Sequence, residues 1–307
     1  VHPFRFAVQQ ASASSAEEWA ALARRAESLG YDLLVMPDHL GNQLSPFAAL
    51  AAAAAATTRL RIGAFVFAND YRHPLMLARE AATLDVLSGG RFEMGMGAGW
   101  MTSDYRELGM TYDPAPRRVD RLEEAVPLVK RLLAGETVTH NGEHYQMERA
   151  SAGVPTVQKP RPPLGIGAGG PRMLRLAARE ADIVGLLPGF NARGWPLFGQ
   201  ATEKATAQKV ACVKEAAGEG FERLEINVWL ASAGLAGSGN SFLSSTVAAA
   251  MGAAAAVYDS PYVLYGTLGS VREKLQRRRQ RLGISYYTFP SRSMESMAPL
   301  VEALAGK

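Results

Sequence analysis

A parallel (β/α)8 barrel of the TIM type is the fold class that this sequence predicts, on three observations. Short, apolar, β-rich runs alternate with amphipathic helical runs along nearly the whole chain. Eight strand candidates can be counted, and no low-complexity linker or internal repeat divides the 307 residues. Strand-crossover-strand units build parallel sheets, and eight of them close.

The elements follow in order. "FRFAV" (Phe4–Val8) reads as the first strand, and "SAEEWAALARRAESLG" as a helix with Ser14 or Ser15 at its cap and Gly30 at its end. "YDLLVM" is a buried strand stopped by Pro37, and "SPFAALAAAAAATT" is a helix with Pro46 in its first turn. "LRIGAFVF" is the third strand, "HPLMLAREAATLDVLSGG" a helix, "RFEMGMG" the fourth strand, and "PAPRRVDRLEEAVPLVKRLLAG" a long helix. The stretch 136–152 then alternates around an Asn-Gly turn signal at Asn141 and reads as an inserted hairpin. "PPLGIGAG", "PRMLRLAAREA" and "DIVGLLP" restore the rhythm as strand, helix, strand, and a helix over 202–217 leads to the seventh strand, "RLEINVWLA". The Ala-rich run 244–257 reads as helical within a variable insertion over about 190–258. "SVREKLQRRRQRLG", "ISYYTFP" and "MESMAPLVEALAG" close the chain as helix, eighth strand and helix. One domain covering 1–307 is expected.

Composition narrows the class. Hydrophobic residues at 48% and charged residues at 20% suit a folded core rather than a disordered chain. The single cysteine, Cys212, leaves no intramolecular disulfide and no cysteine cluster for zinc, so a cytoplasmic setting is expected. The opening "VHPFRFAVQQ" has no long apolar stretch, and the polyalanine run is too short to span a bilayer, so neither signal peptide nor membrane segment is expected. A formal net charge of +4 is spread over interleaved acids and bases. The basic cluster Arg272–Arg281 has helical spacing with Leu275 and Leu282 inward and no aromatic series beside it, so it reads as a solvated face rather than a nucleic-acid surface.

"PLGIGAGGPRML" places Gly165, Gly167 and Gly170 in G-x-G-x-x-G spacing. A nicotinamide dinucleotide turn follows a first strand and needs an acidic residue about 20 positions on. Here the turn follows the fifth strand, and the nearest acid, Asp182, stands 12 residues past Gly170 and begins a strand. The dinucleotide reading fails on that context. What remains is bared backbone N–H at Gly167, Ala168, Gly169 and Gly170, just before a helix starting at Pro171, with Arg172 beside it; that is an arrangement for a phosphate, or a tight turn for packing.

Asp38 and His39 fall just past the second strand, on the face where barrels place chemistry. An imidazole there exchanges protons near neutral pH, and the neighbouring carboxylate can orient it. His140 and His144 lie in the hairpin without a ligand set around them, so no metal site is expected. Trp195 and Phe198 are candidates for an apolar pocket wall.

Taken together, "GYDLLVMPDHL", "LRIGAFVFANDYRHPLMLAREAATLDVLSGGRFEMGMGAGW", "DYRELG", "NGEHYQ", "PRPPLGIGAGGPRMLRLAAREADIVG" and "YGTLGSVREKLQRRRQRLGISYY" resemble the luciferase-like oxidoreductases, and within them the actinobacterial branch assigned to the deazaflavin coenzyme F420. The resemblance implies a TIM barrel with a deazaflavin or flavin ring at its mouth and the phosphate at the turn from Gly167 to Arg172. It also implies a non-proline cis peptide joining Phe65 and Val66 under the ring, Asp38 near the ring, and His39 facing substrate as the catalytic proton donor or acceptor. Ala98 and Trp100 would lie beside the ring, with Gln9 at the mouth. Where Trp100 stands, the sugar-phosphate dehydrogenases of this branch carry a glutamate, so sugar-phosphate oxidation is not expected. The implied activity is F420-dependent hydride transfer to or from a small organic molecule with an activated double bond, imine or carbonyl. An FMN-dependent monooxygenase and a non-catalytic flavin carrier are the alternatives, and a homodimer is the implied assembly.

Overall fold

The computed structural model describes residues 2–189, 197–237 and 259–307. Strands β1 (Arg5–Gln9), β2 (Leu33–Met36), β3 (Arg61–Ala64), β4 (Phe67–Ala68) and β5 (Phe92–Gly97) come first, interleaved with helices α1 (Ala16–Ser28), α2 (Pro46–Ala56) and α3 (Pro74–Leu87). Helices α4 (Thr102–Glu107) and α5 (Ala115–Leu133) lead to an antiparallel hairpin of β6 (Val138–Asn141) and β7 (Gln146–Ala150). There follow β8 (Leu164–Ala168), α6 (Pro171–Glu180), β9 (Ile183–Leu186), α7 (Glu203–Ala217) and β10 (Glu225–Trp229). A short pair, β11 (Ser232–Leu235) and β12 (Val263–Gly266), precedes α8 (Leu268–Leu282), β13 (Ile284–Pro290) and α9 (Met294–Leu304).

Round the barrel the order is β1, β2, β3, β5, β8, β9, β10, β13 and back to β1, with every pairing parallel. Closure comes where Ile62 of β3 meets Phe92 of β5. All four residues of β2 and of β9 are buried, as strands covered on both faces must be. Local chemistry sets the helix ends. The Ser15 hydroxyl accepts the Glu18 N–H at the start of α1, Pro46 and Pro171 begin α2 and α6, and Gly283 ends α8 at φ 71°.

Three expectations change. The third strand is not continuous from Leu60 to Phe67: it breaks into β3 and β4 at Phe65–Val66, where the peptide bond is cis. The basic face of α8 is not wholly solvated: Arg278 is 2% exposed and donates to the Asp259 and Ser260 carbonyls, because its stem lies on the core side with Leu275. The β11–β12 pair and α4 carry no periodic signal and were not expected. The Ala-rich run 244–257 lies outside the described residues.

The two ends of the barrel interior are filled differently. At the N-terminal end of the strands, Arg5 bridges Glu225 (2.7 Å) and Glu93, and Arg61 also bonds Glu93 at 2.6 Å. Burial pushes the Glu225 carboxyl up to about 7, outweighing the nearby Arg5 charge. Towards the C-terminal end, glycines clear space for Phe65 and Val66: a Cβ at Gly97 would stand 2.5 Å from Val66 Cγ2, and one at Gly185 2.5 Å from the Phe65 ring.

Two outcomes follow for stability. Glu225 holds its proton in the folded chain up to about pH 7 but releases it near 4.5 when unfolded, so native stability declines as pH rises between those values. Thermal melts at pH 5.5 and pH 8 should therefore show the wild type losing ground to Glu225→Gln at the higher pH; parallel melts would mean that the carboxyl is not displaced. Gly185→Ala should cost about 1 to 3 kcal/mol in denaturant unfolding by overpacking Phe65. Gly165→Ala, whose Cβ would meet only contacts at 3.7 Å, should be tolerated.

Candidate active site

The strands end at a cavity of about 440 Å³. Its lining comes from all round the mouth: Gln9 at the end of β1, Asp38 and His39 after β2, Phe65 and Val66 at the β3–β4 break, Ala98 and Trp100 after β5, Gly167 of β8 with Gly169 and Gly170 after it, Leu187 after β9, and Trp229 of β10. Most of the residues singled out from the sequence are thus brought together.

Three are not in the lining. Ala168 is 1% exposed and faces the core, so only its backbone serves the turn, where its carbonyl accepts the Leu187 N–H at 2.9 Å. Pro171 is the first residue of α6, with Gly170 as the cap. Arg172 turns away: its guanidinium bonds Asp120 (2.6 Å) and Glu123 on α5, which commits its charge to those carboxylates. Trp195 lies outside the described residues, and Phe198 opens a short 3-10 turn, Phe198–Gln200.

The second strand's Asp-His pair also divides. Asp38 is 5% exposed and binds Arg72 through both oxygens (2.5 and 3.0 Å), while Oδ2 also accepts the Ala68 N–H at 3.0 Å. Its charge is neutralised, and its work is to tie the end of β2 to β4. The carboxylate that reaches His39 is instead Asp104 of α4, whose Oδ2 lies 2.7 Å from Nδ1. The Tyr71 hydroxyl donates to the same oxygen at 2.9 Å. The indole of Trp100 stands edge-to-face against the imidazole, 5.4 Å between centroids at 85°.

Asp104 is held in turn by a crossed exchange. Tyr71, in the turn Asn69–Tyr71, donates to Asp104 on α4, and Tyr105 on α4 donates to Asp70 in that turn at 2.8 Å. The two rings meet at 5.7 Å, and Arg121 of α5 bonds both oxygens of Asp70 (2.9 and 2.7 Å). Burial and the facing carboxylates push both phenols above their ordinary range, so each remains a donor.

Sequence reasoning missed Asp104, Tyr71, Met173, Leu187 and Trp229. One signal was available: Asp104 follows the fourth barrel strand closely, at the end where chemistry gathers. Trp229 matters because its indole N–H donates to Gln9 Oε1, leaving the Gln9 amide N–H2 as the free-facing donor. In the hairpin, His140 Nε2 meets a single carboxylate, Glu124, at 3.0 Å. Among the described residues, no group of three His, Cys, Asp or Glu side chains is placed to hold a metal ion, and no helix is long and apolar enough to cross a membrane.

Among known proteins, the chain is 36% identical over 165 residues to an F420-dependent glucose-6-phosphate dehydrogenase of Microbacterium testaceum, covering 51% of this chain and 48% of that protein. It is 39% identical over 134 residues to a 4-hydroxyprotoasukamycin monooxygenase of Streptomyces nodosus subsp. asukaensis, covering 42% and 35%. These alignments span about half or less of the relatives' own length. Among solved structures, the coenzyme F420-dependent tetrahydromethanopterin reductase of Methanopyrus kandleri superposes with a TM-score of 0.76 at 19% identity, covering 98% of this chain and 99% of that one, a likeness of fold. The luciferase-like monooxygenase family profile matches residues 1–303, through the cis bond, the glycine turn and the His39 strand alike, and the chain belongs to that family.

Proposed function

We propose that this protein is an oxidoreductase that binds the deazaflavin coenzyme F420 at the barrel mouth and transfers hydride between it and a small, largely apolar molecule bearing an activated double bond, imine or carbonyl. The observation that carries this reading is the cavity itself. It has apolar walls, a glycine turn opening a helix on one side, and His39 as its proton-exchanging group three strands away round the ring.

The residues present fit such a cofactor. A Cβ at Gly169 would meet the Leu187 carbonyl at 3.1 Å, and around Gly170 nothing lies within 4 Å, so the turn is bare backbone leading into α6. Gly169, Gly170 and the first N–H groups of α6 would hold the phosphate. Arg172, committed to α5, supports that turn from outside. Val66, Phe65 and Ala98 offer an apolar bed for a flat ring, and the Gln9 amide can donate to a ring or substrate oxygen. When bound, the deazaflavin supplies a hydride-carrying ring carbon in the place of a flavin's reactive nitrogen. The chain's own contribution is to orient, to exclude water, and to exchange a proton at His39.

Trp100 supports an organic rather than a sugar-phosphate substrate. It packs edge-to-face with His39, and among the described lining residues the one carboxylate, Asp38, is neutralised by Arg72 from outside the lining. The same reading takes the chain as one barrel domain, elaborated at 136–152 and about 190–258, working in the cytoplasm as a homodimer. Met76, Val86 and Leu87, exposed along α3, support the pairing.

Two measurements test this. Fluorescence titration with oxidised F420 and, separately, FMN should show preference for the deazaflavin; preference for FMN would move the monooxygenase relatives' chemistry to first place. With F420 turnover followed against a panel of enones, imines and ketones, His39→Ala should lose about 10²- to 10⁴-fold in rate while binding F420 within about threefold of wild type. Undiminished turnover would remove His39 from the chemistry.

A further inference from the structure

We infer that Asp104 is a positioning residue for His39: it holds the imidazole in the Nδ1–H tautomer, so that Nε2 is the atom that faces the cavity and exchanges a proton with substrate. This rests on the reading of His39 as the cavity's proton-exchanging group. It adds an assignment of which atom acts, and of what aims it.

The inference comes from counting donors and acceptors. Asp104 is 2% exposed, and its Oδ2 receives the Tyr71 hydroxyl at 2.9 Å and His39 Nδ1 at 2.7 Å. An ionised carboxylate only accepts, so the hydrogen in the second bond must sit on Nδ1. Neutral imidazole has one N–H, and with Nδ1 carrying it, Nε2 keeps its lone pair. The two ring nitrogens point in roughly opposite directions, and His39 lines the cavity, so Nε2 is presented to it. Nε2 has no hydrogen-bond partner among the described residues. A proton taken from a substrate hydroxyl at Nε2 makes an imidazolium whose charge is shared with the Asp104 carboxylate, and the same proton returns to an alkoxide in the reverse direction. The Trp100 ring, edge-to-face with the imidazole, limits rotation of the His39 side chain, and the Tyr71–Asp70–Tyr105–Asp104 exchange holds the carboxylate in place.

Alone in water, the histidine side chain prefers the Nε2–H tautomer. The site therefore reverses the intrinsic preference, which makes the arrangement measurable without substrate or cofactor. Nitrogen-15 NMR of histidine-labelled protein, with the His39 signals assigned through His39→Gln, reads the tautomer directly. Wild type should show Nδ1–H, Asp104→Asn should shift the tautomer ratio towards Nε2–H by tenfold or more, and Tyr71→Phe should keep Nδ1–H. A wild-type ring in the Nε2–H form, or a ratio unmoved in Asp104→Asn, overturns the assignment; should that variant not fold, the wild-type spectrum decides alone. The same samples titrated with oxidised F420 separate the two ideas. If F420 fails to bind while the tautomer changes as described, the cofactor reading falls and the positioning role stands.

Discussion

The packing of Phe65 and Val66 into the mouth of the barrel is the constraint on which the rest of the site depends. Eight parallel strands leave an interior that side chains must fill, and here Phe65 and Val66, at the break in one strand, fill part of it towards the mouth. Gly97, Gly167 and Gly185 on neighbouring strands carry no side chain because Val66 and Phe65 occupy that volume. The cavity is therefore apolar where these two side chains line it. Among the described residues, Gln9, Asp38, His39 and Tyr71 bring polar groups to it from the strand ends and the turns after them.

At the opposite end, the interior is polar and crowded with charge. Arg5 lies between Glu93 and Glu225 and over the Tyr286 ring, and Arg61 adds a second cation to Glu93. Removing Arg5 would leave the buried Glu225 carboxyl without its cation, whereas Arg5 and Glu93 each keep a second partner when one is lost. The barrel thus keeps its ionic cluster at the base and frees the mouth for a ligand, where the one buried carboxylate of β2's end, Asp38, is neutralised by Arg72.

Most of the strand and helix order was legible because it is local: period and capping residues announce it. The glycine turn and the His39 strand end were legible for the same reason, since each is a short run at a recognisable place. Side-chain partners were not. Asp38 adjoins His39 in sequence, yet neighbouring residues after a strand diverge, and Asp38 turns to Arg72 while His39 finds Asp104, 65 positions away. Arg278 misled in the opposite sense, because a run of arginines resembles a solvated face while one stem of the run points inward. Arg172, next to the turn in sequence, is drawn off by two acids on α5 that no local pattern connects with it.

The crossed Tyr-Asp exchange between the Asn69–Tyr71 turn and α4 joins the segments after β4 and β5 into one mechanical piece. The two segments are coupled in sequence: altering either tyrosine removes one hydrogen bond from the carboxylate on the other side. Innovation in substrate range is thereby channelled to the remaining rim, so that descendants of this barrel can change what they accept while inheriting the aim of His39 intact.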